Sequence, residues 1–345
     1  MKRVVKQVVG IDVAQKELVI CLGRMYEDLA LELYAHKTFA NKESGFDALI
    51  HWVKKMTKDD YPVRYVMEAT GVYHENLAYY LEGKGFEISI VLPNKISNYF
   101  RTLDVKTITD KTASEAIARF GLERNLDNWK RPKEIFKKLR QITRERDQVI
   151  AERTIVKNQL HAEQTEAQPN RKTLSRLKKR IALLDKQEHE IGKEIAELVK
   201  QDREVAQSVK RICTIPGIAT LTAATILAET NGFELVRNRR QLASYAGFDV
   251  KEKQSGTSVK GKPKISKKGN KYLRKAMYMP ALAAIRHCAQ FKNIAARLIS
   301  KHGIKKKAAV AVQRKLLELA YTVWKTNSDY KSNPQSNDDP IKTAA

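Results

Sequence analysis

The stretch Val4–Val13, VVKQVVGIDV, decides the fold of the N-terminal part of this 345-residue chain. It is an apolar, β-branched run of the kind that forms a buried strand, but Asp12 interrupts it near its end. A carboxylate inside a buried strand destabilises the fold unless something cationic satisfies it. The stretch therefore predicts a central strand and a charged site where that strand ends.

Further runs with the spacing of strands and helices continue the same layer. Two more strands are predicted at 17–21 and 30–39, so that the first three form an antiparallel meander. Helices and strands then alternate, with a helix at 44–56 capped by Ser44, a strand at 64–67, a helix at 74–82, a strand at 87–91 and a helix opened by Pro93. Three strands followed by alternating helices and strands are typical of a ribonuclease H-like α/β layer.

Two further acids fall where this layer would bring them close to Asp12. Glu68 ends the fourth predicted strand, and Asp110 begins a helix that runs to about Phe120. Adjacent central strands would place the carboxylates of Asp12 and Glu68 at one edge, and carboxylate oxygens are the ligands that Mg²⁺ requires. Taken singly, each acid has an ordinary alternative as a strand end or a helix N-cap. The set predicts a Mg²⁺ site formed by Asp12, Glu68 and Asp110.

A strongly basic stretch lies at 251–275, KEKQSGTSVKGKPKISKKGNKYLRK, with ten Lys or Arg residues and a single Glu. Its glycines let a polyanion approach the backbone closely. We therefore predict that nucleic-acid phosphates contact Lys260, Lys262, Lys264, Lys267, Lys268 and Lys271. Ser255 precedes Gly256 in this stretch and could attack a phosphodiester once deprotonated. The alternative is that Ser255 is only a turn residue.

The charge of the whole chain indicates the same partner. Lys and Arg number 65 against 39 Asp and Glu, a formal charge of +26, which predicts nucleic-acid binding. An anionic membrane surface would also attract this charge, but no apolar run approaches the ~20 residues that cross a bilayer. The three cysteines are far apart, so the sequence supports neither a disulfide framework nor a structural zinc site. A reducing cytoplasm is the expected location.

Helices dominate the rest of the chain. A long charged helix is predicted at 133–161, and Pro169 with Asn170 breaks the helical pattern. From Leu174 to Leu198 apolar residues recur at spacings of three and four, and Glu188 is the one charged residue at a position of this pattern. This heptad seam predicts a coiled-coil hairpin that closes on itself or dimerises. We expect an α/β domain at 1–125, the hairpin at 126–208, a helical domain at 209–327 and a disordered tail at 328–345.

Two apolar helices flank a Pro-Gly turn within 209–230. The pattern resembles a helix-hairpin-helix element, in which turn amides such as that of Gly217 bind a phosphate without reading bases. Ala219 stands where a second glycine is usual, and a plain helical hairpin is the alternative. Further on, the helical pattern predicts packing roles for three neighbours, Met277, Tyr278 and Met279, and a helix at 294–324.

Five motifs resemble those of one transposase family. They are GIDVAQKEL, EATGVY, TDK followed by AIARFG, IPGI, and SGTSVKGKPKISKKGNKYLRKAMYMPA, and the likeness spans residues 8–324. The sequence is similar to the DEDD transposases of the insertion-sequence-110 family. The resemblance implies a RuvC-like domain with Mg²⁺-binding acids, a coiled coil, and a transposase domain with a nucleophilic serine. It also implies a noncoding bridge RNA that pairs donor and target DNA. We expect a homo-oligomer, a dimer or a tetramer.

The match of motifs gives roles to individual residues. Asp12, Glu68 and Asp110 take the first three acidic places, and Ser255 takes the serine place. Ser255 would attack the scissile phosphate and hold the DNA as a phosphoserine ester, with Mg²⁺ stabilising the charge. Two other functions fit the residues, a structure-specific nuclease that uses metal-activated water and a nucleic-acid-binding protein without chemistry. A protein–DNA adduct that resists denaturation separates the recombinase from the nuclease, and metal-dependent cleavage separates both from the binding protein.

The chain departs from the family at the fourth acid, whose place falls on Ala113. Glu115 is the candidate replacement as a metal ligand. It lies about 140° around the helix from Asp110, whereas position 113 lies only about 60° away. This geometry favours Glu115 as a surface residue or as one that contacts the ligands indirectly, with direct ligation as the alternative.

Overall fold

The computed structural model describes residues 3–57, 61–69, 71–103, 105, 107, 109–252, 254–255, 259–261 and 264–331, with the backbone alone at 254, 255, 259 and 260. The chain divides into two compact units, Met1–Arg131 and Pro132–Ala345. The predicted finer division into hairpin, helical domain and tail stays a prediction. Among the described residues no helix combines the length and the apolar character needed to cross a membrane.

A five-stranded sheet organises the first unit. Its strands are β1 (Val4–Val13), β2 (Glu17–Tyr26), β3 (Leu31–Ala40), β4 (Val63–Glu68) and β5 (Glu87–Val91), in the order β3-β2-β1-β4-β5. β2 pairs antiparallel with both β1 and β3, whereas the β1–β4 and β4–β5 pairs are parallel. This topology confirms the predicted α/β layer, in which a three-stranded meander is continued by parallel strands.

Four helices accompany the sheet, α1 (Glu43–Met56), α2 (Glu75–Gly83), α3 (Pro93–Phe100) and α4 (Asp110–Glu123). The prediction that Ser44 caps α1 is wrong, because Lys42 occupies the N-cap position. The early start follows from Gly45, where any Cβ would clash with the backbone of Ala40 at the end of β3. The chain therefore turns directly from β3 into the helix.

Alternate residues of β1 face opposite sides of the sheet. Val9 and Ile11 belong to a core with residues of α1 and α2, whereas Val8 belongs to a core with residues of α3 and α4. Gly10 lies on this second side, where a Cβ would clash with the backbone of α4. Asp12 continues the alternation of Val8 and Gly10. Its side chain therefore lies on the α4 side of the sheet.

Two long antiparallel helices open the second unit, α5 (Glu134–Thr165) and α6 (Arg171–Gln201). The side-chain oxygen of Asn170 caps α6 by accepting the backbone amides of Lys172 and Thr173. Leu177 and Leu184 of the predicted seam are buried against α5. The two helices form the predicted hairpin, and its description as a coiled coil stays a prediction.

Glu188, the charged residue within the apolar seam of α6, has ion pairs across this hairpin. Its carboxylate contacts Arg146 and Arg153 of α5, and Arg153 also contacts Asp185 at 2.6 Å. Paired charges can be removed from water where single ones cannot. The seam therefore tolerates Glu188 because α5 supplies its counter-ions.

Shorter helices form the core of the second unit: α7 (Arg203–Ile212), α8 (Thr220–Thr230), α9 (Arg239–Ala246), α10 (Lys271–Ala276), α11 (Tyr278–His287), α12 (Ala289–His302) and α13 (Lys305–Thr326). Between α9 and α10 lie four two-residue strands, β6 (Val250–Lys251), β7 (Gln254–Ser255), β8 (Val259–Lys260) and β9 (Lys264–Ile265). Leu139 of α5 and Ile195 of α6 are buried in the same core. The hairpin thus packs onto the short helices of its own unit.

Three sequence predictions for the C-terminal part need correction. The helix expected at 294–324 is interrupted, because Gly303 ends α12 in a left-handed conformation. Met277 is buried, but Tyr278 and Met279 are 45% and 67% exposed, since the new helix α11 begins at Tyr278 and turns these two side chains outward. Tyr330, predicted to be in a disordered tail, donates its hydroxyl to Gln290 at 2.6 Å. Residues 332–345 of that tail lie outside the described residues.

Candidate active site

The two strands that end with acids are neighbours. β1 and β4 run parallel with Ile11 opposite Met67, so that Asp12 and Glu68 are the next residues on each strand. Parallel strands place their carboxyl ends at the same edge of a sheet. The structure therefore brings Asp12 and Glu68 together at this edge, where both are partly exposed.

Asp110 is the first residue of α4, but another residue caps this helix. The Thr109 hydroxyl accepts the amide of Thr112 at 3.2 Å, and the Thr112 hydroxyl accepts the amide of Thr109 at 2.8 Å. This capping box satisfies amides that would otherwise lack an acceptor. Asp110 is thus not the N-cap that its sequence position also allowed.

Burial and the carboxylates of Asp110 and Glu68 raise the pKa of Asp12. The pKa of Asp12 is raised from 3.8 to about 6, first because burial disfavours the charged form and then because Asp110 and Glu68 repel a further negative charge. A hydrogen bond from the Val13 backbone opposes this shift. Within the described ranges no basic side chain forms a salt bridge with Asp12. The site therefore holds negative charge that the chain does not neutralise at Asp12.

Donor type and charge at this edge fit a hard divalent cation. Carboxylate oxygens are the ligands that Mg²⁺ prefers, and a cation would relieve the repulsion that raises the pKa of Asp12. In the part of the chain that the structure describes, no three His, Cys, Asp or Glu side chains lie close enough together to hold an ion. The carboxylates at this edge therefore do not form a complete coordination shell. Water and a substrate phosphate would complete the six positions of Mg²⁺.

Glu115, the candidate fourth acid, is engaged elsewhere on the sheet. Its carboxylate forms a 3.0 Å salt bridge with Nε2 of His36 on β3. The pKa of Cys21 on β2 is raised to about 12, first by burial and then by the charge of Glu115. Three strand spacings, ~14 Å, separate β3 from the β4 strand that carries Glu68. Glu115 therefore contacts the part of the sheet remote from Glu68, and a direct role in metal binding stays a prediction.

Ser255 ends strand β7 in the segment between α9 and α10, which we call the arm and which contains two pairs of short strands. β6 pairs with β9 at the base of the arm, and β7 pairs with β8 further out, with Ser255 opposite Val259. Gly256 and Lys262 lie outside the described residues, as do the side chains of Ser255 and Lys260. The backbone thus places Ser255 at the last described pair of the arm, and its role as nucleophile stays a prediction.

The remaining predicted phosphate contacts lie at the base of the arm and just after it. All four are exposed, Lys264, Lys267, Lys268 and Lys271. Lys271 is the first residue of α10, and its ammonium lies 5.2 Å from the ring centre of Tyr272. Exposed ammonium groups on one segment can meet successive phosphates of a strand. Their contact with nucleic acid stays a prediction.

A buried carboxylate with a partly exposed arginine partner, neither predicted from the sequence, anchors the arm. Glu229 of α8 is 1% exposed and accepts two hydrogen bonds from Arg144 of α5, at 2.7 and 2.8 Å, and one from Asn270 at 2.6 Å. Asn270 also caps α10, since its side-chain oxygen accepts the amides of Tyr272 and Leu273. Glu229 is a lone charge in the apolar run LTAATILAET, and that was the available signal.

Hydrogen bonds to the backbone join the residues that follow the arm to those that precede it. The Asn270 amide donates to the Tyr245 carbonyl at 2.7 Å, and the Arg274 guanidinium donates to the Ala246 carbonyl at 2.7 Å. Gly269 lies so close to the end of α9 that a Cβ would clash with the Tyr245 carbonyl. The arm that carries Ser255 therefore leaves from a rigid base.

The predicted phosphate-binding turn between α7 and α8 is shaped by packing. Gly217 has a left-handed φ of +85°, and a Cβ there would clash with the Pro280 carbonyl of α11. Glycine is required for this close approach. Ala219 is the N-cap of α8 and supplies no side-chain cap. Both a phosphate-binding turn and a plain hairpin remain open for Gly217.

Family models match both units. The DEDD_Tnp_IS110 transposase model matches residues 9–169, and a model described as Transposase IS116/IS110/IS902 family matches residues 209–296. The first range contains Asp12, Glu68 and Asp110, and the second contains Ser255.

Known proteins align over nearly the whole chain. The pilin gene-inverting proteins of Moraxella bovis and Moraxella lacunata are each 27% identical over 326 residues, which covers 94% of this chain and 98% of theirs. An uncharacterized 43.6 kDa protein of insertion element IS110 from Streptomyces coelicolor is 25% identical over 121 residues, 35% of this chain and 30% of that protein.

Solved structures align only over part of the chain. Thermus thermophilus RuvC in complex with a Holliday junction substrate covers 34% of this chain and 97% of its own, at 10% identity and a TM-score of 0.26. A Ppx/GppA family member from Aquifex aeolicus covers 27% of this chain and 37% of its own, at 14% identity and a TM-score of 0.21. Scores this low carry no argument about fold or function.

The assignment therefore depends on the family models and on relatives that align from end to end. Both models describe one transposase family, and between them they match residues 9–169 and 209–296. The chain belongs to the IS110 family of DEDD transposases, enzymes that recombine DNA.

Proposed function

We propose that this transposase cuts and rejoins DNA through a phosphoserine intermediate at Ser255, with Mg²⁺ held by Asp12, Glu68 and Asp110 and a noncoding bridge RNA as guide. The charge of Asp12, which lies beside the acids Glu68 and Asp110 and pairs with no basic side chain of the described residues, carries the proposal. A partly buried carboxylate whose charged neighbours are also acids is costly to a fold. Such clusters are typical of functional sites.

Each group has a defined part in the chemistry. The Ser255 oxygen forms a bond to the scissile phosphorus while the bond from phosphorus to the deoxyribose oxygen breaks. The serine loses its proton and the departing oxygen gains one. Bound Mg²⁺ supplies positive charge that stabilises the phosphate in the transition state. Exposed Lys264, Lys267 and Lys268 neutralise neighbouring phosphates.

The phosphoserine ester allows rejoining without an external source of energy. A hydroxyl at another DNA end displaces the serine, which restores both a phosphodiester and the free enzyme. The name of the Moraxella relatives supports this course, because inverting a gene requires both of its ends to be cut and joined to new partners. Hydrolysis by metal-activated water would leave open ends instead.

The serine is tested by trapping the protein on DNA. Wild-type protein with the DNA ends of its own element should give an adduct that survives denaturation, whereas Ser255→Ala should give neither adduct nor recombinants. Its DNA affinity should change by no more than about threefold, because one neutral hydroxyl adds little to many phosphate contacts. Ser258→Ala, three residues along the same stretch, is the matched control. An adduct with Ser255→Ala would falsify the nucleophile, and cleavage without any adduct would favour the nuclease.

The acids are tested in the same assay with variants that keep shape and remove charge. Asp12→Asn and Glu68→Gln should lose Mg²⁺-dependent adduct formation. Asp47→Asn is the control, since Asp47 is a surface carboxylate that pairs with Lys84 at 3.0 Å and accepts a hydrogen bond from Tyr80. Full activity of Asp12→Asn, or of the wild type in excess EDTA, would rule out an acidic metal site.

The guide is tested by sequencing RNA that purifies with the protein from its native host. One enriched transcript from beside the gene supports a bridge RNA. Aromatic residues make up only 7% of the chain, so few base-stacking side chains are available and the RNA proposal depends on the family resemblance. A DNA-free preparation that carries no enriched RNA and still recombines DNA would contradict it.

A further inference from the structure

A cleft of about 830 Å³ lies inside the second unit. Most of its walls come from α5, α8, the junction of α10 with α11, and α13, and Glu188 of α6 with Ile265 and Lys267 at the base of the arm complete them. Its volume is in the range of pockets that hold a small organic ligand. Apart from Lys267, no residue of its lining has a part in the proposed strand transfer, so the occupant of the cleft has to be inferred from the lining.

A largely buried glutamine lines the cleft. Gln313 of α13 is 4% exposed, and among the described residues its side chain has no hydrogen-bond partner. Lys306 and Val310 line the cleft from the same face of α13. The Gln313 amide is not among the fully buried side-chain atoms that lack a partner, so it meets solvent in the cleft. Gln313 therefore presents a donor and an acceptor to an occupant of the cleft.

The part of the lining that α11 contributes is apolar and aromatic. Tyr278 and Met279, both exposed on α11, line the cleft, whereas the adjacent Met277 is fully buried in the core. Exposed aromatic and thioether side chains offer flat, polarizable contacts. Unpaired nucleobases stack on such surfaces whatever their sequence.

The charge of the lining favours an anionic ligand. Seven basic and three acidic side chains line the cleft. Lys275 is paired with Asp147 at 2.9 Å, and the arginines of α5 are paired with Glu229 and Glu188. Lys306 is exposed and forms no salt bridge within the described residues. It therefore remains available for a phosphate.

We propose that this cleft binds one unpaired nucleotide of a nucleic-acid strand, with its base against Tyr278 and Met279, its hydrogen-bonding edge at Gln313 and its phosphate at Lys306. The assignment rests on the proposed action on nucleic acid. It adds a site that recognises a nucleotide outside the double helix, which a duplex could present only after extruding a base. DNA and RNA share this chemistry, and the experiment separates them.

The test measures binding without Mg²⁺. Its result therefore does not depend on whether the protein cuts DNA by the proposed reaction. The probes are a DNA duplex with one extrahelical 2-aminopurine, the same duplex fully paired, and the RNA version of each. Wild-type protein should prefer the bulged form and change its fluorescence. Gln313→Met fills the same space without the amide and should lose about tenfold of that preference, the value of one or two hydrogen bonds. A preference for bulged DNA alone, or for bulged RNA alone, identifies the natural strand.

Stability distinguishes a ligand-binding amide from a structural one. Gln313→Met should unfold at the same temperature as the wild type, because Met fills the same space and the amide that it removes bonds no described group. Lys306→Ala should lower affinity for both bulged and paired probes. Gln207→Met and Lys301→Ala are controls on exposed faces of α7 and α12. Equal binding of bulged and paired probes by the wild type overturns the proposal. So does a lower unfolding temperature of Gln313→Met, or a changed oligomeric mass with unchanged binding, which would assign the cleft to a second copy.

Discussion

Glu229 in the second unit is a buried carboxylate and Asp12 in the first unit is a partly buried one, and the two have opposite surroundings. Glu229 is 1% exposed, and Arg144 and Asn270 donate three hydrogen bonds to it. Asp12 is partly exposed, its charged neighbours are the acids Glu68 and Asp110, and its pKa is raised to about 6. One carboxylate is neutralised by the protein and the other is not.

The contrast separates a structural carboxylate from a functional one. A buried charge that holds a fold together must bring its counter-ion with it, as Glu229 does through Arg144. A charge kept for a metal or substrate has to leave that place open and accept a loss of stability. On this reasoning Glu229 fastens the base of the serine arm, and Asp12 is reserved for a cation.

The largest effect is expected at Glu229. Glu229→Gln leaves Arg144, whose side chain is 41% exposed, without its anion. Breaking a fully buried pair costs about 3 to 5 kcal/mol, and solvent at Arg144 reduces the expected loss to about 2 to 3 kcal/mol. The free energy of unfolding from a urea titration measures this loss. Glu134→Gln is the control, because Glu134 forms an exposed pair with Lys138 on α5, and such pairs contribute about 1 kcal/mol or less. If both variants lose the same small amount, Glu229 is not an anchor.

A smaller effect of opposite sign is expected at Asp12. Because the folded chain binds the Asp12 proton more tightly than the unfolded chain, the free energy of unfolding falls as pH rises from 3.8 to about 6. Asp12→Asn removes this dependence. At pH 7 without divalent cations it should be more stable than the wild type by about 1 to 2 kcal/mol, since solvent screens part of the repulsion at a partly exposed site.

Asp47 provides the matched comparison for that measurement. Its pKa is lowered, first by the hydrogen bond from Tyr80 and then by that from Lys84. The stability from Asp47 is therefore present at neutral pH and is lost as pH falls, which is the reverse of Asp12. Thermal unfolding of both variants between pH 4 and pH 7 checks the two signs. A wild-type curve that rises with pH and is unchanged by Asp12→Asn would contradict the repulsion at the acid edge.

The cation itself should give a third, still smaller effect. Mg²⁺ that binds the folded state alone stabilises it by about 1.4 kcal/mol when its free concentration is tenfold above Kd. The wild type should therefore gain a few degrees of Tm on addition of Mg²⁺, and Asp12→Asn should gain none. Equal gains in both proteins would place the bound Mg²⁺ elsewhere.

Much of the first unit could be predicted because local patterns carry its fold. The run of Val4–Val13 and the alternation that follows fix three strands and place Asp12 at the end of one. The N-cap at Lys42 could not be predicted, because it depends on the contact of Gly45 with Ala40 across the end of β3. Such tertiary contacts override the local preference of Ser for the cap position.

The second unit was harder to predict because its decisive contacts join distant residues. Arg144 and Glu229 are 85 residues apart, and the charge of Glu229 within an apolar helix gave no sign of its partner. The exposure of Tyr278 and Met279 was also missed, because helical spacing shows which residues share a face and not what covers that face. Both the anchor of the arm and the nucleotide cleft depend on these contacts.

The smallest effect is expected at Glu115, which tests how far the comparison extends. The carboxylate of Glu115 has a protein partner, His36 at 3.0 Å, so by the same reasoning it is structural rather than reserved for metal. Glu115→Gln should change the Mg²⁺ dependence of adduct formation by less than about twofold, because the amide can still accept a hydrogen bond from His36. Ala113→Asp should instead tighten Mg²⁺ binding, since position 113 is only about 60° around α4 from Asp110 and adds a fourth carboxylate to the edge. His36→Ala is the control, because it frees Glu115 without altering the acids. If Glu115→Gln is as inactive as Asp110→Asn, Glu115 is a ligand despite its partner, and a paired carboxylate in this protein is no longer a sign of a structural role.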